Sequence, residues 1–511
     1  MQASSPAGPR YHRAAVAKIE VAVSRPDQVE ADVLALAVTD PADSLPQAAS
    51  ELDSKLDGKL SALVSAGELT GELGKATLLH VDGDLGASRV AAGGAGPSDR
   101  LDAEAIRTAA AAVARSSKRF GGTIAWLLDE SLPLSLPEQA RAAIDGIVLG
   151  SYDPGQWKTG DRHRRPIERI ALVTEADVQD AAERAGRVAY WTTRARDLSN
   201  MPANELTPER LVEIAREIAT EVEGLEVEAL GLEQTRELGM GAFNAVAQGS
   251  RNPAQMIVMR YEPPSAKGDT VLGLVGKAIT FDTGGISIKP SEFMEEMKHD
   301  MSGGAAVVAS MGAIADLGIP VRTLAVVAAT ENMPDGGAYR PGDILTARNG
   351  KTIEVISTDA EGRLVLADAL TYAREQGATH VLDLATLTGA MVIALGDLYA
   401  GVFVNDDDWG ELIIAAGAAS GDRVWAMPLD PRYRRLIDST YADMRNTGKY
   451  RMAGGQAGAE LLQEFAGDGP WAHLDIAGPA ALRLGRGDYL SQPGGTGYGV
   501  RLIAELASRL A

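Results

Sequence analysis

Short runs rich in β-branched residues alternate along this chain with longer segments whose apolar positions recur at helical spacing, a pattern that predicts an α/β protein. In the first third, the strand pattern falls at Lys18–Val23, Asp32–Val38, Ala76–Val81, Thr123–Leu127 and Arg169–Thr174. Helical spacing occupies Leu101–Ser116 and Leu136–Ile147. The polar, turn-rich stretch 152–166 predicts an exposed loop, and a helix from Asp177 to Asn200 follows it. Thr207 then reads as an N-cap, with Pro208 in the first helical position. We expect a smaller N-terminal α/β domain over 1–176 and a larger α/β domain over 177–511.

In the larger domain, Thr270–Gly276, Val321–Ala328 and His380–Leu384 are almost wholly apolar, as strands of a sheet covered by helices on both faces should be. A helix-flanked mixed sheet is the expected architecture. Residues 351–356 (KTIEVI) read as a further strand, and Leu366, Ala369, Leu370 and Ala373 have helical spacing. A helix therefore begins near Gly362 or Arg363. Paired glycines at 284–285, 303–304 and 494–495 mark sharp turns or close backbone approaches.

Bulk composition narrows the function by exclusion. The 511 residues allow about two to four domains with ample core. A formal net charge of −21 argues against a general affinity for nucleic acid or anionic lipid, since both need a basic surface. The short basic stretch 162–166 (RHRRP) is a local exception. With no cysteine there is no disulfide framework, thiolate nucleophile or sulfur-ligated zinc. The N-terminal stretch has no apolar core of a secretory signal, and no apolar run approaches the ~18 residues of a membrane span. A cytoplasmic location is expected. The six histidines, at 12, 80, 163, 299, 380 and 473, include no pair at the spacing of a zinc-binding HExxH helix. His299 alone adjoins a candidate acidic residue, Asp300, but neighbouring side chains tend to diverge.

The chemistry concentrates in two segments. One is 357–364 (STDAEGRL), where Asp359, Glu361 and Arg363 alternate just ahead of an apolar helical run. The other spans Lys277, Asp282, Lys289 and Asp300, set among apolar and glycine-rich residues. Four carboxylates and three cations in such surroundings are costly unless neutralised, and divalent metals neutralise them well. Taken singly, each residue has an ordinary alternative. Asp359 and Glu361 could be a capping turn, Lys277 and Lys289 solvated lysines, Asp300 a partner of a helix dipole, and Arg363 one half of a salt bridge.

The motifs TDAEGRL, GKxxTFDTGGISIKP, MKxDM, NMPxxxAxRPGD and LATLTGA resemble those of the leucyl (cytosol) aminopeptidase family, dinuclear metallo-exopeptidases, from about Arg194 to near the C-terminus. Ala278 stands where the family usually has glycine, and Ser357 where it usually has asparagine. The resemblance implies that residues 177–511 form a catalytic domain holding two divalent ions, Mn2+ or Zn2+. Lys277, Asp282, Asp300 and Glu361 would hold one ion, and Asp282, Asp359 and Glu361 the other. Lysine can ligate only as the neutral amine. The resemblance further implies that Lys289 stabilises the oxyanion and that Arg363 holds a bicarbonate base. Met297, Ser357, Ala360, Thr386, Leu387 and Gly389 would border the substrate pocket, although Met297 and Leu387 alone would pass as core residues. The implied activity is release of N-terminal Leu and other apolar residues from peptides by a homohexamer. Three other readings stand beside it: a dinuclear phosphoesterase, whose sites usually include histidines; a DNA-binding accessory protein, which the acidic balance opposes; and an inert scaffold, which the filled motif positions oppose.

Overall fold

The computed structural model describes residues 20–25, 28–41, 45–81, 85–160, 165–450 and 452–511. The N-terminal residues 1–19, with the first two residues of the expected strand Lys18–Val23, and positions 162–164 of the basic stretch lie outside the described residues. The chain forms two compact units, residues 1–193 with 486–491, and residues 194–485 with 492–511. The expected 176/177 division lies just ahead of the helix Gln179–Asn200, within which the two units part.

The first unit is built on six strands: β1 (Glu20–Ser24), β2 (Val33–Asp40), β3 (Ala76–His80), β4 (Arg89–Pro97), β5 (Gly122–Leu127) and β6 (Ile167–Val173). Their order is β1-β6-β5-β2-β4-β3, parallel except for the antiparallel edge strand β3. Alanine makes the helix packing close. Ala103–Ser116 and Leu136–Ser151 meet so tightly that a Cβ on Gly146 would lie 2.1 Å from the Arg107 carbonyl oxygen. The second of these helices starts with a capping box between Ser135 and Glu138.

The second unit carries β7 (Leu225–Leu230), β8 (Gln255–Tyr261), β9 (Val271–Asp282), β10 (Arg322–Asn332), β11 (Ile344–Thr346), β12 (Thr352–Glu354), β13 (His380–Ala385), β14 (Ala400–Val404), β15 (Val424–Ala426), β16 (Met444–Arg445) and β17 (Trp471–Asp475). Eight of them form a mixed sheet in the order β15-β14-β17-β13-β9-β10-β8-β7. The four central strands β17, β13, β9 and β10 are parallel, so their carboxyl ends share one edge. Ligands of open α/β sheets bind at that edge. Thr207 caps the helix Pro208–Glu221 by accepting from Arg210 N, with Pro208 in its first turn.

Two expectations change. The segment 351–356 contributes only the three-residue strand β12, which belongs to a small separate sheet, β11-β12-β16, and not to the main one. Strand β9 runs on to Asp282, well beyond Gly276, so Lys277 and Asp282 both lie within it. Its pairing with β10 explains how both serve one site. The register passes from Ile279–Thr330 to Asp282–Asn332, an extra residue on β9. Such a bulge reverses the alternation of side chains, so two residues five apart reach the same face.

The helix Ser302–Asp316 lies against the sheet through glycines, because a Cβ on Gly303 would come within 2.2 Å of the Leu384 carbonyl oxygen. Backbone cannot yield as a flexible side chain can. Gly303→Ala should therefore destabilise the second unit by roughly 1–3 kcal/mol, the usual cost of overpacking. Chemical denaturation should show this as a lower midpoint, with the far-ultraviolet spectrum unchanged in native buffer.

Candidate metal centre

At the carboxyl edge of the central strands, β9 supplies Lys277 and Asp282, both buried. The chain then turns through Gly284 and Gly285, at φ +84° and +67°, in the left-handed region open to glycine. A Cβ on Gly285 would sit 2.8 Å from Asn332 Oδ1 and 3.0 Å from Thr358 Oγ1, so the pair is also a close approach. Lys289 N donates to Thr283 O (2.9 Å), which folds the loop back. Asp300 follows the 3-10 turn Met294–His299 and precedes the helix Ser302–Asp316. Glu361 is the first residue before the helix Gly362–Glu375, and its side chain makes no capping hydrogen bond there.

Four carboxylates and two lysines meet here. Lys277 Nζ lies 2.8 Å from Asp300 Oδ2 and 2.9 Å from Glu361 Oε1, and it donates to Thr386 O at 3.0 Å. Lys289 Nζ lies 2.7 Å from Asp282 Oδ2 and 2.5 Å from Asp359 Oδ1. Oxygen atoms of Asp282, Asp359 and Glu361 fall within 4.8 Å of one another. Burial would by itself lower the pKa of Lys277, but Asp300, Glu361 and Asp282 outweigh it and raise the value. Lys289 is raised in the same way, burial being outweighed chiefly by Asp282. Burial pushes Asp282 and Asp300 above the ordinary carboxylate range, with Glu361 adding to both. Glu361 would also rise by burial, yet Lys277 and Lys289 hold it below its usual value. An acidic cluster kept so dense by ammonium groups fits divalent cations, which favour the same oxygens.

A cavity of about 800 Å³ opens over this cluster. Lys277, Asp282, Lys289, Asp300, Asp359 and Glu361 line it, with Met297, Thr386, Leu387 and Gly389. Ser357, Ala360 and Arg363 are not among its lining residues. Ser357 and Ala360 lie on the turn held by Asn446, whose Nδ2 donates to Ser357 O (2.6 Å) and Oδ1 accepts from Ile356 N (2.8 Å). Arg363 is buried on the first helical turn, where Nη1 donates to Asn446 O (2.8 Å) and Nε has no hydrogen-bond partner among the described residues. His299 borders the cavity with its Nδ1 2.6 Å from Ser199 O; burial, then Lys298, lower its pKa to about 4, so the ring is neutral.

Sequence reasoning overlooked the neutral residues that set these carboxylates. Asn332 Nδ2 donates to Asp282 Oδ1 (2.8 Å) and Thr358 O (2.9 Å) and reaches Glu361 Oε2 at 3.4 Å. Tyr339 Oη donates to Thr358 O at 2.8 Å. Both residues sit in the NMPDGGAYRPGD stretch already singled out, so the signal was present without a role attached.

A carboxylate–lysine cluster beneath a cavity, at the shared edge of parallel strands, suits a metal-dependent hydrolase on an α/β frame. The chain belongs to the cytosol aminopeptidase family: the family's catalytic-domain model matches residues 193–504 and its N-terminal-domain model residues 35–160. It is thus an aminopeptidase, a metal-dependent peptide hydrolase. A probable cytosol aminopeptidase of Solibacter usitatus is 46% identical over 442 residues, 86% of this chain and 91% of that protein. One of Koribacter versatilis is 40% identical over 96% of this chain and 99% of its own. Among solved structures, a variant of tomato leucine aminopeptidase superposes with a TM-score of 0.86 at 35% identity, covering 96% of each chain. The bottromycin maturation enzyme BotP in complex with Mn gives 0.82 at 34% identity, covering 94% of this chain and 99% of that one. Among the described residues no helix is long and apolar enough to cross a membrane.

Asn332→Ala removes the amide that links strand β9 to the 357–361 turn. Outer partners of this kind typically contribute tenfold to a hundredfold in metal affinity or activity, and a loss of about that size is expected here. Titration of the metal-free variant with Mn2+, beside a circular dichroism spectrum showing a retained fold, checks it.

Proposed function

We propose that this enzyme releases N-terminal amino acids, Leu and other apolar residues preferred, with two divalent ions at the lysine–carboxylate cluster. The observation that carries the reading is the convergence of Asp282, Asp359 and Glu361 oxygens within 4.8 Å, at a cavity whose lining includes Met297 and Leu387. Lys277, Asp282, Asp300 and Glu361 would hold one ion, and Asp282, Asp359 and Glu361 the other. Oxygen-rich ligation with one nitrogen suits Mn2+ or Zn2+, and the solved relative BotP was described in complex with Mn. Such ions lower the pKa of water and polarise a carbonyl.

The residues divide the remaining work. Lys277 would ligate as the neutral amine, its pKa depressed by the charge of the ion itself, and the N–H it gives to Thr386 O would orient it. Lys289, against Asp282 and Asp359, meets negative charge developing on the scissile carbonyl oxygen. Arg363 presents a planar donor fork suited to bicarbonate, which would accept the proton from the attacking water. Its buried Nε, without a partner among the described residues, supports an anion there. Asp300 favours the substrate's amino group, which fixes cleavage at the first peptide bond. Thr386, Gly389 and Ala360 would border the substrate pocket with Met297 and Leu387, and Ser357 its edge, toward the leaving-group side. The family resemblance and the relatives' naming as cytosol aminopeptidases favour a cytoplasmic homohexamer acting on peptides.

Two experiments test the reading. Metal-loaded enzyme should cleave Leu-Gly peptides and leave their N-acetyl counterparts intact, because an acylated nitrogen has its lone pair delocalised into the amide and binds metal poorly; equal rates on both would refute it. Lys289→Ala should keep its metal content while turnover falls about a hundredfold or more, the usual cost of losing an oxyanion stabiliser. Loss of metal in proportion to loss of turnover would instead make Lys289 structural.

A further inference from the structure

Behind the metal centre lies a set of buried ionisable groups that the proposed chemistry does not use. Asp383 on β13 and His473 on β17 are register partners, both fully buried. His473 Nδ1 lies 2.5 Å from Asp383 Oδ1, and Trp471 Nε1 donates to Asp383 Oδ2 at 2.8 Å. The Phe403 ring stacks on the imidazole at 5.9 Å. Two residues along the same strand, and so on the same face, is Asp475, again fully buried. Buried ions of this kind persist only when paired and hydrogen-bonded.

Both oxygens of Asp475 accept hydrogen bonds, and three of the four come from one turn. Its Oδ1 accepts from Leu387 N (3.2 Å), Thr388 N (3.4 Å) and Ala477 N (3.2 Å), while Oδ2 accepts from Thr388 Oγ1 (2.6 Å). The residue just before those amides, Thr386, touches the metal centre twice. Its carbonyl accepts from Lys277 Nζ (3.0 Å), and its hydroxyl donates to Asp300 Oδ1 (2.7 Å). Asp475 interacts electrostatically with both Arg363 and His473. Burial disfavours the imidazolium, but Asp383 and then Asp475 raise the His473 pKa.

We propose that Asp475, backed by the buried Asp383–His473 pair, is a positioning residue: it fixes the 386–388 turn so that Thr386 aims Lys277 and Asp300. The inference rests on the reading of Lys277 and Asp300 as metal ligands. The physical point is directional. A lysine amine has three hydrogens or two and a lone pair, and a fixed carbonyl decides where the lone pair points. A turn held by neutral contacts alone would leave that direction loose.

The test compares Asp475→Asn, Asp475→Ala, His473→Gln and, as a control in the same core, Phe403→Leu. Metal-free protein is titrated with Mn2+ by calorimetry, and kcat and KM on a leucyl anilide are measured on the folded, loaded fraction. We expect Asp475→Ala to lose at least tenfold in Mn2+ affinity and in kcat, with KM nearly unchanged. Asp475→Asn, which keeps acceptors for the amides, should be intermediate, and His473→Gln should follow it. Phe403→Leu should lower the melting temperature and alter neither Mn2+ affinity nor kcat. Should Asp475→Ala not fold, the asparagine and glutamine variants decide. Wild-type affinity and kcat in folded Asp475→Asn and His473→Gln, with only the melting temperature lowered, would overturn the inference. Wild-type protein that bound no Mn2+ would refute the ligand reading itself, whereas wild-type binding with undiminished affinity in the variants would refute this inference alone.

Discussion

Mutual repulsion among carboxylates gathered at one sheet edge is the constraint on which the rest of this structure depends. Two like charges about 4 Å apart at the effective dielectric of a protein surface repel by roughly 4 kcal/mol. Several such pairs rival the whole stability of a domain, about 5–15 kcal/mol. The buried Asp282, Asp300 and Glu361 and the more exposed Asp359 can therefore share one site only with cations wedged among them. Lys277 and Lys289 come from the same β9-loop segment as Asp282, so the counter-charge arrives with the charge it balances. Neutral amides complete the arrangement. Asn332 and Asn446 orient the turns without adding to the repulsion that the lysines must offset.

Much of this was legible because the chemistry and the periodicity are local. The apolar runs at 270–276, 321–328 and 380–384 lie within β9, β10 and β13 apart from a terminal residue or so, since strands covered on both faces carry little else. The charged residues of the cluster stood out because charge in apolar sequence is conspicuous. What stayed hidden depends on pairing between distant segments. The bulge opposite Thr330 and Asn332 cannot be read from residues 279–282, yet it decides the face Asp282 occupies. The small sheet that takes β12 away from the main one depends on Met444–Arg445, far along the chain. Asn332 and Tyr339 look like turn residues until the turn they hold is in place. Asp383, His473 and Asp475 each sit in an otherwise apolar run, and only the register of β13 with β17 shows why.

Glycine plays the complementary part. Gly284 and Gly285 bring Lys289 back to the strand it left, and Gly303 lets the helix after Asp300 press on β13. Without side chains at these points the backbone itself becomes the packing surface, so distances in the site are set by main-chain geometry. That gives the carboxylates positions stiffer than their own rotamers would allow.

The order of strands in the main sheet has a consequence for the growing polypeptide. Strand β17 is made late, yet it lies between β13 and β14, which are made earlier. Until Trp471–Asp475 has left the ribosome, β13 and β14 cannot take their final neighbours, and the turn after Ala385 has no Asp475 to hold it. The sheet edge that carries the lysine–carboxylate cluster is therefore completed only when one of the last strands of the chain inserts between two earlier ones.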